Sequence, residues 1–228
     1  MTELVTYQLG NGVATITLDD GKANVMSEKM IRAVATAFDR AEADRAVVLL
    51  TGRPGMFSAG YDLATFSRSE DEIRQTLRAG GNLIHRLLGF PLPVVAACSG
   101  HAIAQGAFTL LAADVRFGIA GDFKLGLNEV AIGLTIPHYG VEVARHRLTR
   151  PGFDRAMNTG ILVGPEEARE LGFLDALVAD ADELHTRATA EAHRLTEIDL
   201  GAHAWTKLRV RAQVLTAVRS GIDSEFGA

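Results

Sequence analysis

The sequence predicts an α/β protein built on parallel strands, and three observations lead to that class. Apolar runs alternate with amphipathic stretches in the order strand, helix, strand, helix, strand; two of the strand-like runs lead into short glycine-bearing segments; and helical patterns dominate from residue 137 onward. Such alternation favours right-handed crossovers, with functional loops gathered at the carboxyl ends of the strands.

Each element has a local cause. Residues 4–9 and 13–18 alternate apolar and polar side chains around Gly10-Asn11-Gly12, which predicts a two-stranded hairpin. Ser27 then precedes Glu28, Lys29 and an apolar stripe through Met30, Ile31, Val34, Ala37, Phe38 and Ala41, the pattern of a capped amphipathic helix. Residues 47–50 form a buried strand. Ser69-Glu70-Asp71-Glu72 starts a second helix, whose apolar side carries Ile73, Leu77, Leu83, Ile84, Leu87 and Leu88, and Phe90-Pro91-Leu92-Pro93 ends it. Residues 93–97 are a core strand, 107–113 a short buried helix and 115–119 a further strand. Beyond residue 137 only 173–178 reads as a strand, whereas 181–195 and 202–222 read as helices. The chain lacks repeats and Pro/Ser-rich linkers, so it is not cut into independent domains; residues 1–180 form the core and 181–228 a helical carboxyl-terminal region.

Composition narrows the function. With 228 residues, 47% of them apolar, the chain can bury a large core, and a formal charge of −5 without a basic block supplies no footprint for nucleic acid. The single cysteine, Cys98, excludes an internal disulfide framework and fits a reducing compartment. Residues 1–20 are too polar and acidic for a secretory leader, and no run of about 18 apolar residues occurs. A cytoplasmic protein without membrane contact is the expectation.

Two segments carry the chemistry: Met56-Phe57-Ser58-Ala59-Gly60-Tyr61-Asp62-Leu63 and Ser99-Gly100-His101-Ala102-Ile103-Ala104-Gln105-Gly106-Ala107. Small residues after a strand let peptide N–H groups approach a ligand, and two such groups aimed at one point make an oxyanion hole. A third segment, Leu125-Gly126-Leu127-Asn128-Glu129-Val130, sets one carboxylate among apolar neighbours, where desolvation raises its pKa toward general-base work. Plainer readings stand beside these: strand-ending glycines that only turn the chain, Asp62 as a helix cap, and Glu129 as a surface residue on a turn.

The seven histidines show no HExxH spacing and Cys98 has no companion, so no metal is expected. His101 and His138 lie near the candidate segments in sequence, although satisfied loop histidines are the commoner case. Ser58 and Ser99 are not in GxSxG, and neither a GxxxxGK[ST] nor a strand-linked GxGxxG phosphate motif is present.

With these segments in this order, the chain resembles the crotonase family, also called the enoyl-CoA hydratase/isomerase superfamily, over nearly its whole length. The resemblance implies a spiral of ββα units and a helical carboxyl-terminal region that covers coenzyme A and makes homotrimer or hexamer contacts. It further implies an acyl-CoA substrate whose thioester oxygen is held by the peptide N–H groups of Tyr61 and Gln105, with Ala23, Val25, Ala59, Asp62 and Leu63 along the CoA pocket. Coenzyme A arrives as part of the substrate, and no separate cofactor is implied.

Hydratases of the family use two glutamates, and here Phe108 occupies the position of one while Glu129 matches the other. An aromatic at the first position removes a water-holding partner, whereas moving a double bond needs one base alone. The segments Gly126-Leu127-Asn128-Glu129 and Phe57 to Leu63 look particularly like the mitochondrial-type Δ3,Δ2-enoyl-CoA isomerases. The expected reaction is therefore isomerisation, with Glu129 shuttling the proton and Phe108, Leu134 and Ile136 keeping water from the acyl pocket. The alternatives are an enoyl-CoA hydratase, in which His138 serves as a second polar group beside Glu129, and a noncatalytic acyl-CoA binder. Gln105 stands where the family usually carries glycine, so its side chain must find room near the thioester.

Overall fold

In the computed structural model, which describes residues 3–227, the hairpin forms as its turn chemistry dictates; Met1, Thr2 and Ala228, at the ends of the 1–180 and 181–228 regions, lie outside the described residues. Strands β1 (Val5–Gly10) and β2 (Val13–Leu18) pair antiparallel from Val5 opposite Leu18 to Gly10 opposite Val13. Asn11 and Gly12 both have positive φ, 50° and 76°, which is the twist a two-residue hairpin turn requires. Helix α1 (Glu28–Ala43) begins where the Ser27 hydroxyl accepts the Met30 N–H, and it buries the stripe read from the sequence.

From here the chain repeats one unit, in which a strand of a large sheet is followed by a strand of a small one and then a helix. β3 (Val47–Gly52) leads to β4 (Gly55–Ser58) and, after a 3-10 turn at Leu63–Ser67, to α2 (Glu70–Leu88). β5 (Val94–Cys98) leads to β6 (Gly100–Ile103) and α3 (Gln105–Ala112). β7 (Val115–Ile119) leads to β8 (Leu125–Gly126) and then to α4 (His138–Arg147), α5 (Arg150–Thr159), β9 (Leu162–Val163) and α6 (Pro165–Leu171). β10 (Ala176–Val178), α7 (Ala181–Thr196) and α8 (Leu200–Phe226) complete the chain. The large sheet has the order β1-β2-β3-β5-β7-β10 and is parallel except for β1; the small one has the order β4-β6-β8-β9.

The small sheet corrects the sequence reading, which set both glycine segments directly at the ends of β3 and β5. A second, four-residue strand intervenes each time, and the candidate turns follow β4 and β6 instead. These strands escape notice because they are short and their pairing is long-range. Gly100 lets them cross closely, since a Cβ there would lie 2.0 Å from the Gly55 carbonyl carbon. In α2 the capping box between Ser69 and Glu72 forms, but Ile73 and Leu77 are only half-buried; Thr76, Gly80 and Gly81 take the inner face of that stretch.

The core lies on both faces of the large sheet. One cluster joins α1, α2, α3, α4 and α8 to inward side chains such as Ile16, Leu50, Val94 and Ala96. The other packs Leu184, Ala188, Ala192 and Leu195 of α7 against Val47, Leu49, Val95 and Phe117. Strands buried on both faces need continuous apolar runs, which is why β3 and β5 read so plainly. Among the described residues no helix is long and apolar enough to cross a membrane.

Candidate active site

Two backbone turns meet at the carboxyl ends of β4 and β6. After β4 the chain runs through Ala59 and Gly60 to Tyr61; after β6 it passes Ala104 and enters α3 at Gln105. Gly60 has φ +88°, and a Cβ there would stand 2.8 Å from both Ala104 Cβ and Ile103 O and 3.4 Å from Gln105 N, so only glycine lets the turns touch. Ala104 has φ 51° and ψ −121°, a strained conformation for a residue with a side chain. It is held by its N–H donating to Gly126 O at 2.9 Å and its carbonyl accepting from Phe108 N at 3.0 Å. Gln105 is the first residue of α3, where a helix leaves its N–H groups without internal acceptors. Among the described residues neither the Tyr61 nor the Gln105 peptide N–H has a protein acceptor.

A loop between β2 and α1 lies against the first turn. Asn24, fully buried with φ 50°, donates through its amide nitrogen to Leu18 O, Met56 O and Phe57 O. Asp20 accepts the N–H groups of Asn24 and Val25. Ala59 N then donates to Ala23 O at 2.9 Å and Met26 N to Gly60 O at 2.7 Å, bringing Ala23, Val25 and Ala59 together. Ser58, fully buried, donates to Asn24 O and accepts Gly60 N–H, which makes its hydroxyl a brace for this turn. Cys98 is also buried, and burial pushes its thiol up to about 12, far from thiolate chemistry.

Glu129 stands after β8, with its carbonyl accepting Leu134 N–H at 2.9 Å across a tight 3-10 turn at Val130–Ile132. The residue is 8% exposed and one buried carboxylate oxygen, Oε2, has no hydrogen-bond partner among the described residues. Burial raises its pKa to about 7, with only its own backbone acting against the shift. Its charge acts on two nearby phenols: burial raises the pKa of Tyr61, the bond to Tyr139 opposes this, and Glu129 adds to the rise. Tyr139 is raised by burial first and then by Tyr61 and Glu129.

Tyr139 is the residue the sequence reading missed. It is fully buried on α4, and its hydroxyl lies 2.7 Å from that of Tyr61 and donates to Gln105 Oε1 at 3.0 Å. Gln105 Nε2 donates to Gly80 O at 3.1 Å, so this side chain turns inward and finds its room inside the helical layer. The available signal was Gly80-Gly81 inside a helix, a position where glycine costs about 1 kcal/mol each. A Cβ at Gly80 would lie 1.8 Å from the Tyr61 hydroxyl oxygen, and one at Gly81 would lie 3.0 Å from Tyr139 Cδ1.

The remaining expected residues divide. Phe108 is 1% exposed and packs edge-on to Tyr139, with ring centroids 6.0 Å apart. Leu134 and Ile136 line a groove of about 570 Å3 with Val130, Val141, Phe153 and Met157, and that lining includes neither Phe108, Tyr61 nor Gln105. Asp62 caps the 3-10 turn by accepting Ala64 N–H, and Leu63 is 66% exposed. His138 opens α4 with its side chain largely exposed; its N–H donates to Glu225, and its ring faces the same carboxylate at 3.9 Å. That partner is on α8. His101 accepts Lys124 N–H through Nδ1.

Comparison with known proteins gives one consistent result. A family model described as "Enoyl-CoA hydratase/isomerase" matches residues 8–225. The chain is 32% identical over 231 residues to a putative enoyl-CoA hydratase of Thermus thermophilus, covering 98% of this chain and 88% of that protein. It is 30% identical over 229 residues to the mitochondrial enoyl-CoA delta isomerase 1 of Homo sapiens, covering 97% and 75%. The crystal structure of an enoyl-CoA hydratase/isomerase family protein from Pseudomonas syringae matches with a TM-score of 0.95 at 44% identity, over 98% of this chain and 96% of that one.

Proposed function

The chain belongs to the enoyl-CoA hydratase/isomerase family, and from that premise we propose that it moves the double bond of an enoyl-CoA from position 3 to position 2 with Glu129 as its one base. The observation that carries this reading is, among the described residues, a single buried carboxylate with an unpartnered oxygen, near Tyr61; the family resemblance sets the buried Phe108 at the position of a second acid.

The thioester oxygen accepts hydrogen bonds from the N–H groups of Tyr61 and Gln105. Glu129 takes a proton from C2, the electron pair spreads over the carbonyl and the C3–C4 double bond as a dienolate, and the same carboxyl returns the proton to C4. The new double bond lies between C2 and C3, and the carboxylate is regenerated. A pKa near 7 suits both halves, because the group is basic enough to abstract and acidic enough to return the proton at neutral pH. The two donors stabilise the developing charge, each by about 3–4 kcal/mol. Ala23, Val25, Ala59, Asp62 and Leu63 line the path of coenzyme A in this reading. Assembly as a homotrimer or hexamer accompanies it, supported by the exposed Trp205 and Val210 on α8.

The test is to incubate the protein with a 3-enoyl-CoA and follow formation of the conjugated 2-enoyl thioester. Glu129→Gln is expected to reduce turnover by about 10²–10⁴-fold with CoA-ester binding retained. A variant with near-normal activity would sink the assignment. Glu129-dependent formation of 3-hydroxyacyl-CoA from 2-enoyl-CoA, without isomerisation, would establish a hydratase, and ligand-induced stabilisation without turnover would establish a binding protein.

A further inference from the structure

We propose that Tyr139 is a positioning residue that fixes the two thioester-binding peptide groups relative to each other, acting through one directed chain of hydrogen bonds between the side chains of Tyr61 and Gln105. The inference rests on reading the Tyr61 and Gln105 N–H groups as the thioester donors.

The chain has one consistent direction. Gln105 Nε2 donates to Gly80 O, because the opposite amide orientation would set Oε1 against that carbonyl oxygen. Oε1 therefore accepts, and Tyr139 spends its only hydroxyl proton on it at 3.0 Å. The Tyr139 oxygen is left to accept from Tyr61 at 2.7 Å. Burial opposes ionisation of both phenols and the Gln105 amide does not ionise, so the order of donors is the same across the working pH range.

What the chain joins gives it a role beyond packing. Tyr61 and Gln105 stand at the turns after β4 and β6, and among the described residues their backbone N–H groups have no protein acceptor. Their backbones press together through Gly60 and the strained Ala104. Their side chains meet a second time through Tyr139, which is anchored on α4 between Phe108 and Phe226. Two donors must share one target to within a fraction of an ångström, and neither β4 nor β6 sets that spacing alone. Apolar side chains of equal volume would be about as stable as these three polar ones, so their specific value lies in imposing one geometry.

Tyr139→Phe removes the bridging oxygen and retains the ring. The expected result is a kcat at least about tenfold lower with KM within about twofold, because donors that strengthen toward the enolate act on the transition state. Tyr61→Phe is expected to behave likewise. The double variant should lose no more than the worse single, since both act through one chain. A second measurement uses crotonyl-CoA with a 13C-labelled carbonyl bound to Glu129→Gln, where hydrogen bonding lowers the carbonyl stretching frequency. Adding Tyr139→Phe should return the band part of the way toward its value in water. Tyr61→Phe, at a half-buried position, supplies the same readout should Tyr139→Phe fold poorly. Unchanged band and kcat in both variants would overturn the proposal. A lowered band in Glu129→Gln that Tyr139→Phe reverses, in a protein that fails to isomerise 3-enoyl-CoA, would overturn the proposed reaction and leave the positioning role standing. A band that never shifts would overturn the reading of the two N–H groups as thioester donors, and the positioning role with it.

Discussion

Glu129 is buried, as its apolar company in the sequence suggests, but the local argument for that burial is only half correct. Its apolar neighbours mark it, yet Val130 and Ile132 are 45% and 49% exposed, and of those neighbours Leu127 is the fully buried one. Burial comes from the turn that folds the side chain inward. The consequence is measurable. A base with a pKa near 7 makes kcat/KM rise with pH and level off above about 7. The same shift couples to stability. The folded-state pKa is raised, so the folded protein holds a proton that the unfolded chain gives up; the stabilisation is full below about 4.5 and is lost as pH rises through about 7. Glu129→Gln does not titrate, so between pH 5 and pH 8 its stability relative to the parent should improve by about 2–3 kcal/mol in urea unfolding. A pH-independent difference would show that Glu129 is not desolvated in solution.

At the scale of elements, α8 was legible as a helix, but its attachment was not. Its buried side includes Lys207 and Arg211 as well as Val214, Val218 and Ile222. Lys207 Nζ lies 2.7 Å from one oxygen of Asp114 and Arg211 Nη2 lies 2.8 Å from the other, while Asp114 also accepts Val94 N–H at the start of β5. Burial lowers the Lys207 pKa to about 8, with Asp114 opposing the shift. Asp114→Asn leaves two buried cations without a counter-charge and should cost about 3–5 kcal/mol. Lys207→Met should cost clearly less in the same denaturation experiment, because Arg211 still neutralises Asp114. Nothing local in the sequence pairs residues 93 and 97 positions apart. The helix caps are the opposite case: Ser27 and the Ser69–Glu72 box were readable because cap and helix are adjacent in the chain.

Across the whole molecule, α7 and α8 are packed into different parts of the structure. α7 covers one face of the large sheet, and Val214, Val218 and Ile222 of α8 join the cluster on the other. Hydrogen exchange is expected to give the amides of the inner turns of α8 protection comparable to β3 and β5. Earlier exchange would identify α8 as a unit that opens by itself.

Features that depend on neighbours within a few residues are written in the chain locally. The hairpin turn at Asn11-Gly12, the capped helices, the doubly buried strands and the glycine turns all express preferences of short segments, as does the placing of one carboxylate after Gly126. The tertiary structure alone decided the small sheet, the inward turn of Gln105 and the bond between Tyr61 and Tyr139, 78 residues apart. The engagement of His138 with Glu225, 87 residues away, belongs with these. Such contacts depend on where α2, α3, α4 and α8 pack, and packing sums many weak apolar contacts from the entire chain. Local preference located the turns and the carboxylate, and packing set the geometry between them.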